Sequence, residues 1–156
     1  MKKSVIFLLA AAVHCGGFAQ TLQVNAPWVR ATVTGQKSTG AFMTIKAPTD
    51  MQLVGAQSSV AKTVEVHEMV MDGNVMKMRE VEGGLPLPKD KAVELKPGSY
   101  HIMLIDLIEP MKVGSEVPLT LLLKNKKTGE NLAHRLTAPV KPLAQPAQPV
   151  NHSMHH

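Results

Sequence analysis

Two segments of this sequence combine histidine with methionine at spacings that a β-strand would gather onto one face. The first is Val66-His67-Glu68-Met69-Val70-Met71-Asp72-Gly73-Asn74-Val75-Met76-Lys77-Met78-Arg79, and the second is His101-Ile102-Met103. Side chains alternate along a strand, so His101 and Met103 share one face while Ile102 and Leu104 point to the other. In the first segment Asp72-Gly73 is a favoured pair for a two-residue type I′ hairpin loop, whose central positions both need positive φ. With Asp72 and Gly73 as that loop, His67 lies opposite Met78 and Met69 opposite Met76, and Met71 joins them on the same face. Cross-strand partners have Cβ atoms about 4.5 to 5.5 Å apart, so an imidazole and a thioether there can meet one metal ion. A three-residue loop would shift the register by one and send the partners to opposite faces.

His67, Met78, His101 and Met103 would together form a neutral, soft N₂S₂ donor set. It suits Cu(I), whereas Ca²⁺ and Mg²⁺ want oxygen and Zn²⁺ wants thiolate, imidazole or carboxylate. Spacing alone leaves open whether these residues bind metal or only pack. Met69, Met71 and Met76 divide in the same way between rim packing and auxiliary sulfur beside a metal. Met43, Met51 and Met111 read as core filler on apolar strands, and His134 as a partly exposed strand residue. Ten methionines against five aromatic residues is a surplus of sulfur, not of ordinary core material.

Compartment decides which sulfur chemistry is open. Residues 1–19 carry Lys2 and Lys3, an apolar run from Val5 to Val13, and Gly17-Phe18-Ala19 with small residues where a signal peptidase reads. The run is about half the ~20 residues of a membrane-spanning helix, so a cleaved signal peptide and a periplasmic protein with no membrane anchor are expected. Val13 and His14 stand before Cys15 where a lipobox needs small residues. Cleavage after Ala19 removes Cys15, the single cysteine, and takes the formal charge from +5 to +3 with the loss of Lys2 and Lys3. Without cysteine there is no disulfide, no thiolate nucleophile, no zinc-thiolate site and no blue-copper centre. The one dense basic cluster, Lys124, Lys126 and Lys127, surrounds a Lys-Thr-Gly turn without aromatic interleaving, and no nucleic-acid partner is expected.

Short apolar segments punctuated by Gly, Pro, Asn and Asp recur at the spacing of an antiparallel sandwich or barrel. Strands are predicted at 28–34, 41–46, 52–58, 63–71, 75–81, 92–95, 100–107, 117–124 and 131–137. No stretch holds a helical period over three turns. From Ala138 the chain turns Pro-rich, a composition that disfavours a sheet interior, so the folded domain is placed at 20–137 and a disordered linker and tail at 138–156. The tail ends in Asn151-His152-Ser153-Met154-His155-His156. Histidines on a flexible tether favour Cu(II) and would raise the local metal concentration near the folded domain.

These residues resemble the PCu(A)C family of periplasmic copper chaperones. That family's pattern is a His, ten residues, a Met, twenty-one residues, then His-x-Met. His67, Met78 and His101-Ile102-Met103 follow it, except that twenty-two residues separate Met78 from His101, an insertion most easily placed in Pro86-Leu87-Pro88-Lys89-Asp90-Lys91. Ala26-Pro27-Trp28-Val29-Arg30-Ala31-Thr32, Val81-Glu82-Gly83-Gly84-Leu85, Glu94-Leu95-Lys96-Pro97-Gly98 and Val117-Pro118-Leu119-Thr120-Leu121 are also similar to the family, so the likeness runs from about 24 to 137. It implies a cupredoxin-like Greek-key β-sandwich without the blue-copper cysteine. It also implies a monomeric carrier, not an enzyme, that holds Cu(I) at His67, Met78, His101 and Met103. Delivery would be to the copper-A centre of cytochrome c oxidase, through its subunit II or a partner copper chaperone. In members with a His/Met-rich extension the tail takes Cu(II), here through His152, Met154, His155 and His156. A copper-buffering protein without an oxidase client, and a structural secreted β-sandwich, are the competing readings.

Overall fold

A computed structural model describes residues 21–142. It contains ten strands: β1 (Gln23–Arg30), β2 (Ser38–Lys46), β3 (Met51–Gln57), β4 (Ala61–Asp72), β5 (Val75–Glu80), β6 (Leu85–Leu87), β7 (Ala92–Leu95), β8 (His101–Leu107), β9 (Glu116–Asn125) and β10 (Asn131–Lys141). Among the described residues there is no helix, as the sequence pattern requires. Residues 1–19, expected to be a signal peptide, and the tail residues His152, Met154, His155 and His156 lie outside the described residues.

Pairing runs in the order β5-β4-β8-β2-β1-β10-β9-β3-β6, with β7 alongside β2. Every pairing between strands is antiparallel except β1 with β10, which joins the two layers in parallel at Val29↔Val140 and Arg30↔Lys141. One core lies between the layers. Val29, Ile45, Ile102 and Leu104 from the first meet Leu53, Leu119, Leu121, Leu123 and Val140 from the second in a single buried cluster. Met43, Met51 and Met111 are buried in it at 3–4% exposure, which bears out their reading as core filler.

Among the differences from the sequence reading, three have a clear local reason. β1 starts at Gln23 instead of Trp28, because a bulge between Asn25 and Trp28, with Ala26 at φ 47°, lets the strand continue past Pro27. β6 was not expected. Its Leu-Pro-Leu core is three residues long, and it is tolerated because it pairs only with β3 at the sheet edge, where Pro86 owes no second strand a donor.

The third difference corrects the end of the folded domain. The Pro-rich composition placed that end at Thr137, yet β10 continues to Lys141, with Ala138 and Val140 buried. Pro139 is admissible because pairing with β1 begins only at Val140, so at Pro139 the strand has β9 as its single neighbour. Beyond it, Val140 N–H donates to the Ser115 carbonyl at 2.8 Å, and the Lys141 carbonyl accepts from Ala31 N–H at 2.8 Å.

Truncation after Lys141 should therefore leave the urea-unfolding midpoint unchanged, whereas truncation after Thr137 removes a buried valine and the β1 junction and should cost about 3 kcal/mol or more. Equal midpoints for the two truncations would contradict this account of β10.

Candidate metal centre

The site is built on the outward face of the β5-β4-β8-β2-β1 layer. On β8, Ile102 and Leu104 point into the core and are fully buried, while His101 and Met103 point outward. β4 pairs with β8 so that His67 faces His101 directly and Glu65 faces Met103. On the other flank of β8, Gly40 of β2 faces Met103. Further along the same face, Phe42 of β2 pairs with Trp28 of β1, their ring centroids 4.6 Å apart.

The β4–β5 hairpin supplies the sulfur, in a register that differs from the expected one. Met69 faces Met78, Met71 faces Met76 and Asp72 faces Val75, so His67 lies opposite Glu80 and not Met78. The loop is therefore Gly73-Asn74. Gly73 has φ 63° and neither Asp72 nor Asn74 has positive φ, which suits a type II′ loop with glycine at its first central position and excludes type I′ at Asp72-Gly73. Moving a two-residue loop by one position shifts pairing by two residues, and two is the side-chain period. Met78 thus stays on the face of His67 while climbing one step away from it.

The face is a half-open cavity of about 290 Å³ whose wall includes Met69, Met78, His101 and Met103. His67 lies beside the cavity instead of in its lining, with ring centroids 5.9 Å between it and His101. Three of the four residues predicted as ligands are thus brought together in the wall, with Met69 as a further thioether there and His67 adjoining. His101 is 5% exposed, Met103 half-buried, and Met78 47% exposed, so the donors run from buried to open.

Hydrogen bonds set the chemistry of each imidazole. His67 Nε2–H donates to Glu65 Oε2 at 2.7 Å, since a carboxylate oxygen can only accept. In the neutral ring this leaves Nδ1 as the lone-pair nitrogen, and Nδ1 is buried without a partner. An unsatisfied buried lone pair costs free energy unless something binds it. On His101, Nδ1–H donates to the Ser99 carbonyl at 3.0 Å, which leaves Nε2 as the acceptor. Each ring therefore has its tautomer assigned by one hydrogen-bonded nitrogen, which leaves the other as its lone-pair nitrogen. Burial pushes His101 below its ordinary value; the Ser99 carbonyl pulls it up, and the neighbouring His67 and Arg30 add to the lowering. A lowered value keeps the ring neutral and able to donate.

Aromatic and basic groups complete the enclosure. Phe42 is 4% exposed, its centroid 6.2 Å from the His101 ring and 5.4 Å from the Arg30 guanidinium carbon. Gly40 is required beneath it, because a Cβ there would come within 2.7 Å of the Phe42 ring. Pro97 and Gly98 of the β7–β8 turn and Arg30 also line the cavity, and the buried Arg30 Nε has no partner. Sequence reasoning assigned no role to Glu65, Phe42 or Arg30. Glu65 was legible, since it stands two residues before His67 on one strand face, but the Phe42–Arg30 stacking depends on the β1–β2 register. Among the described residues, no group of three His, Cys, Asp or Glu is placed to hold a metal ion.

Comparison with known proteins agrees with this architecture. The profile described as "Putative lipoprotein LpqE-like" matches residues 22–140. "Putative lipoprotein Lxx21020" of Leifsonia xyli subsp. xyli is 33% identical over 130 residues, spanning 78% of this chain and 77% of the relative. "Uncharacterized protein RP573" of Rickettsia prowazekii is 33% identical over 115 residues, 70% of this chain and 59% of the relative. Among solved structures, the solution structure of Cu(I)-DR1885 from Deinococcus radiodurans aligns with TM-score 0.60 and 29% identity, over 81% of this chain and 83% of that one. The copper-bound PCuAC domain from PmoF2 has the same fold, with TM-score 0.59 and 22% identity over 78% and 93% of the two chains. The chain belongs to the LpqE-like family, of PCu(A)C type.

Proposed function

We propose that this protein is an exported copper carrier that binds Cu(I) as cargo through His67, Met78, His101 and Met103, with Met69 as a further sulfur in the cavity wall. The observation that carries this reading is the pair of neighbouring imidazoles, each with one nitrogen committed to a hydrogen bond and the other left without one, beside three thioethers. Neutral nitrogen and sulfur donors hold a soft monovalent ion and neglect the hard cations that need oxygen. Cu(I) is the cargo in the related Deinococcus radiodurans structure. The gradient from buried His101 to open Met78 suits hand-over, because an acceptor can displace the outer thioether first and the buried donors last. No substrate bond is made or broken, so the role is carriage and not catalysis.

The recipient is a copper-accepting protein, taken to be the copper-A centre of cytochrome c oxidase, through subunit II, or a partner chaperone serving it. Export rests on the signal-like residues 1–19 and on relatives described as lipoproteins. This chain differs from a lipoprotein pattern in having Val13 and His14 before Cys15, which favours a cleaved, unlipidated periplasmic form. The tail residues His152, Met154, His155 and His156 would take Cu(II) and feed the folded site by proximity.

In a Cu(I) titration against a competing chelator, His101→Ala and Met78→Ala should each weaken binding by about tenfold or more, and Glu65→Gln by about 10-fold through loss of the His67 tautomer. His67→Ala compared with Met69→Leu identifies the fourth donor. Wild-type affinity in both His101→Ala and Met78→Ala would eliminate the carrier site.

For the tail, a chain ending at Lys141 should lose most Cu(II) binding and keep Cu(I) binding; equal Cu(II) stoichiometry in the two forms would contradict a tail site.

The metal-free fold should also respond to acid. The unfolded chain titrates His101 at its ordinary value, about 6.5, and the folded chain titrates it lower, so between the two the unfolded state holds more protons. The stability contributed by the neutral ring is present above about 6.5 and is lost as pH falls through the folded value. Unfolding midpoints measured from about pH 7.5 down to about pH 5 should fall, with a shallower slope in His101→Gln. An equal slope in both proteins would rule out His101 as the cause.

A further inference from the structure

The outer half of the β4–β5 hairpin is unexplained by the carrier site at its base. β5 is exposed at all six positions and pairs with no strand except β4. One face of this two-stranded ribbon is ionic: Arg79 Nε–H donates to Glu68 directly opposite at 2.8 Å, and Lys77 pairs with Asp72. The other face carries methionine at four successive places, as the cross-strand pairs Met69↔Met78 and Met71↔Met76. Met71 is 62% exposed and Met76 46%, so neither fills a core.

Core packing therefore does not account for these two residues, and β-propensity does not either, since a solvated strand face is ordinarily built from Thr, Lys or Val. The property the four positions share is the thioether. Met71 and Met76 are direct partners, with Cβ atoms about 4.5 to 5.5 Å apart, and Met69 is the diagonal neighbour of Met76 within reach of an unbranched side chain. Three flexible thioethers on one ribbon face can converge on one ion. Their donors are neutral; Glu68, Asp72, Lys77 and Arg79 lie on the opposite face, and the one charged residue of β5 on the thioether face, Glu80, stands at the base of the hairpin opposite His67. Divalent hard cations have nothing to bind there, whereas a soft monovalent ion does.

We propose that Met69, Met71 and Met76 form a second, outer site for a soft monovalent metal ion of the Cu(I) class, one hairpin step above the ion held at His101 and Met103. The proposal rests on the same metal as the carrier reading, and Met69, in the cavity wall, stands between the two sites, while Met71 and Met76 belong to the outer one alone. The outer site is open on the solvent side, so it binds more weakly and exchanges faster than the buried one. An ion arriving from solution or leaving for an acceptor then moves along a ladder of sulfurs, Met71 and Met76 first, Met69 and Met78 next, and the histidines last.

The experiment is a titration of the full chain, labelled with ¹³C at the methionine methyls, with Ag(I) and, under reducing anaerobic conditions, with Cu(I). Each methyl resonance is assigned by a single Met→Leu exchange. Met78 and Met103 should move with the first equivalent, and Met71 and Met76 with a later one. Met71→Leu/Met76→Leu, conservative and at exposed positions, should abolish the later hairpin step while leaving the first step and the unfolding midpoint unchanged. In His101→Ala the first step should be lost while Met71 and Met76 still respond, which separates failure of the carrier site from failure of the outer one. Met71 and Met76 resonances that stay fixed at three equivalents of either metal would overturn the proposal, and would leave protein docking as the use of this face.

Discussion

Because β4 and β8 pair with His67 directly opposite His101, every second residue outward from that pair on both strands is committed to one face of the sheet. Glu65 and Met103 lie on one side of the pair and Met69 and Met78 on the other, all on the face turned away from the core. The commitment is enforced from beneath. Val66, Ile102 and Leu104 occupy the alternate positions and are buried at 4% exposure or less, so a one-residue slip would bring His67, His101 and Met103 into the core and expose the aliphatic set. Hydrophobic burial on one side of the sheet therefore holds the polar and sulfur groups together on the other.

Placing the site on an outer sheet face, and not in the core or at a loop cluster, creates a problem of enclosure that the neighbouring strands solve. Trp28 and Phe42 build an aromatic wall against His101, Arg30 stacks on that wall, and the Pro97-Gly98 turn closes one end. Only a residue without a side chain fits opposite Met103, and Gly40 provides it. The result is partial desolvation. His101 is dry enough to remain neutral, and the methionines remain accessible enough to exchange.

Much of this was legible in the residues because alternation is a strong rule. The i, i+2 spacing of His101 and Met103, the β-pattern of nine of the ten strands, and the shared face of His67, Met69, Met71, Met76 and Met78 all follow from a period of two. What was not legible depended on choices that alternation leaves degenerate. Asp72-Gly73 and Gly73-Asn74 are both acceptable two-residue loops, and only the dihedral of Asp72 separates them. The two registers differ by two residues and preserve the face, which is why the predicted residues share one face while their pairing differs from the expected one. Pro139 misled for the opposite reason: its effect on a strand depends on how many neighbours the strand has at that residue, and the parallel contact with β1 is a property of the whole topology. The stacking of Arg30 on Phe42 is likewise a consequence of the β1–β2 bulge, which no local pattern announces.

The hairpin shows how one element can satisfy two demands that normally conflict. An edge strand invites association with other chains, and a bare ribbon of methionines would worsen that. Here β5 is six residues long, ends the pairing order, and sets Lys77 and Arg79 against Asp72 and Glu68 on the face away from the sulfur. The ion pairs are exposed and add little to stability. Their effect is on association: a second strand adding to this edge would have to place its own side chains beside fixed charges on one face and thioethers on the other. That combination disfavours a hydrophobic partner and leaves the sulfur face open to a small soft ion. The same alternation that fixes the histidines at the base thus separates the outer ion pairs from the thioethers up to the tip, and the exposed Met71 and Met76 continue the face that begins, buried, at His101.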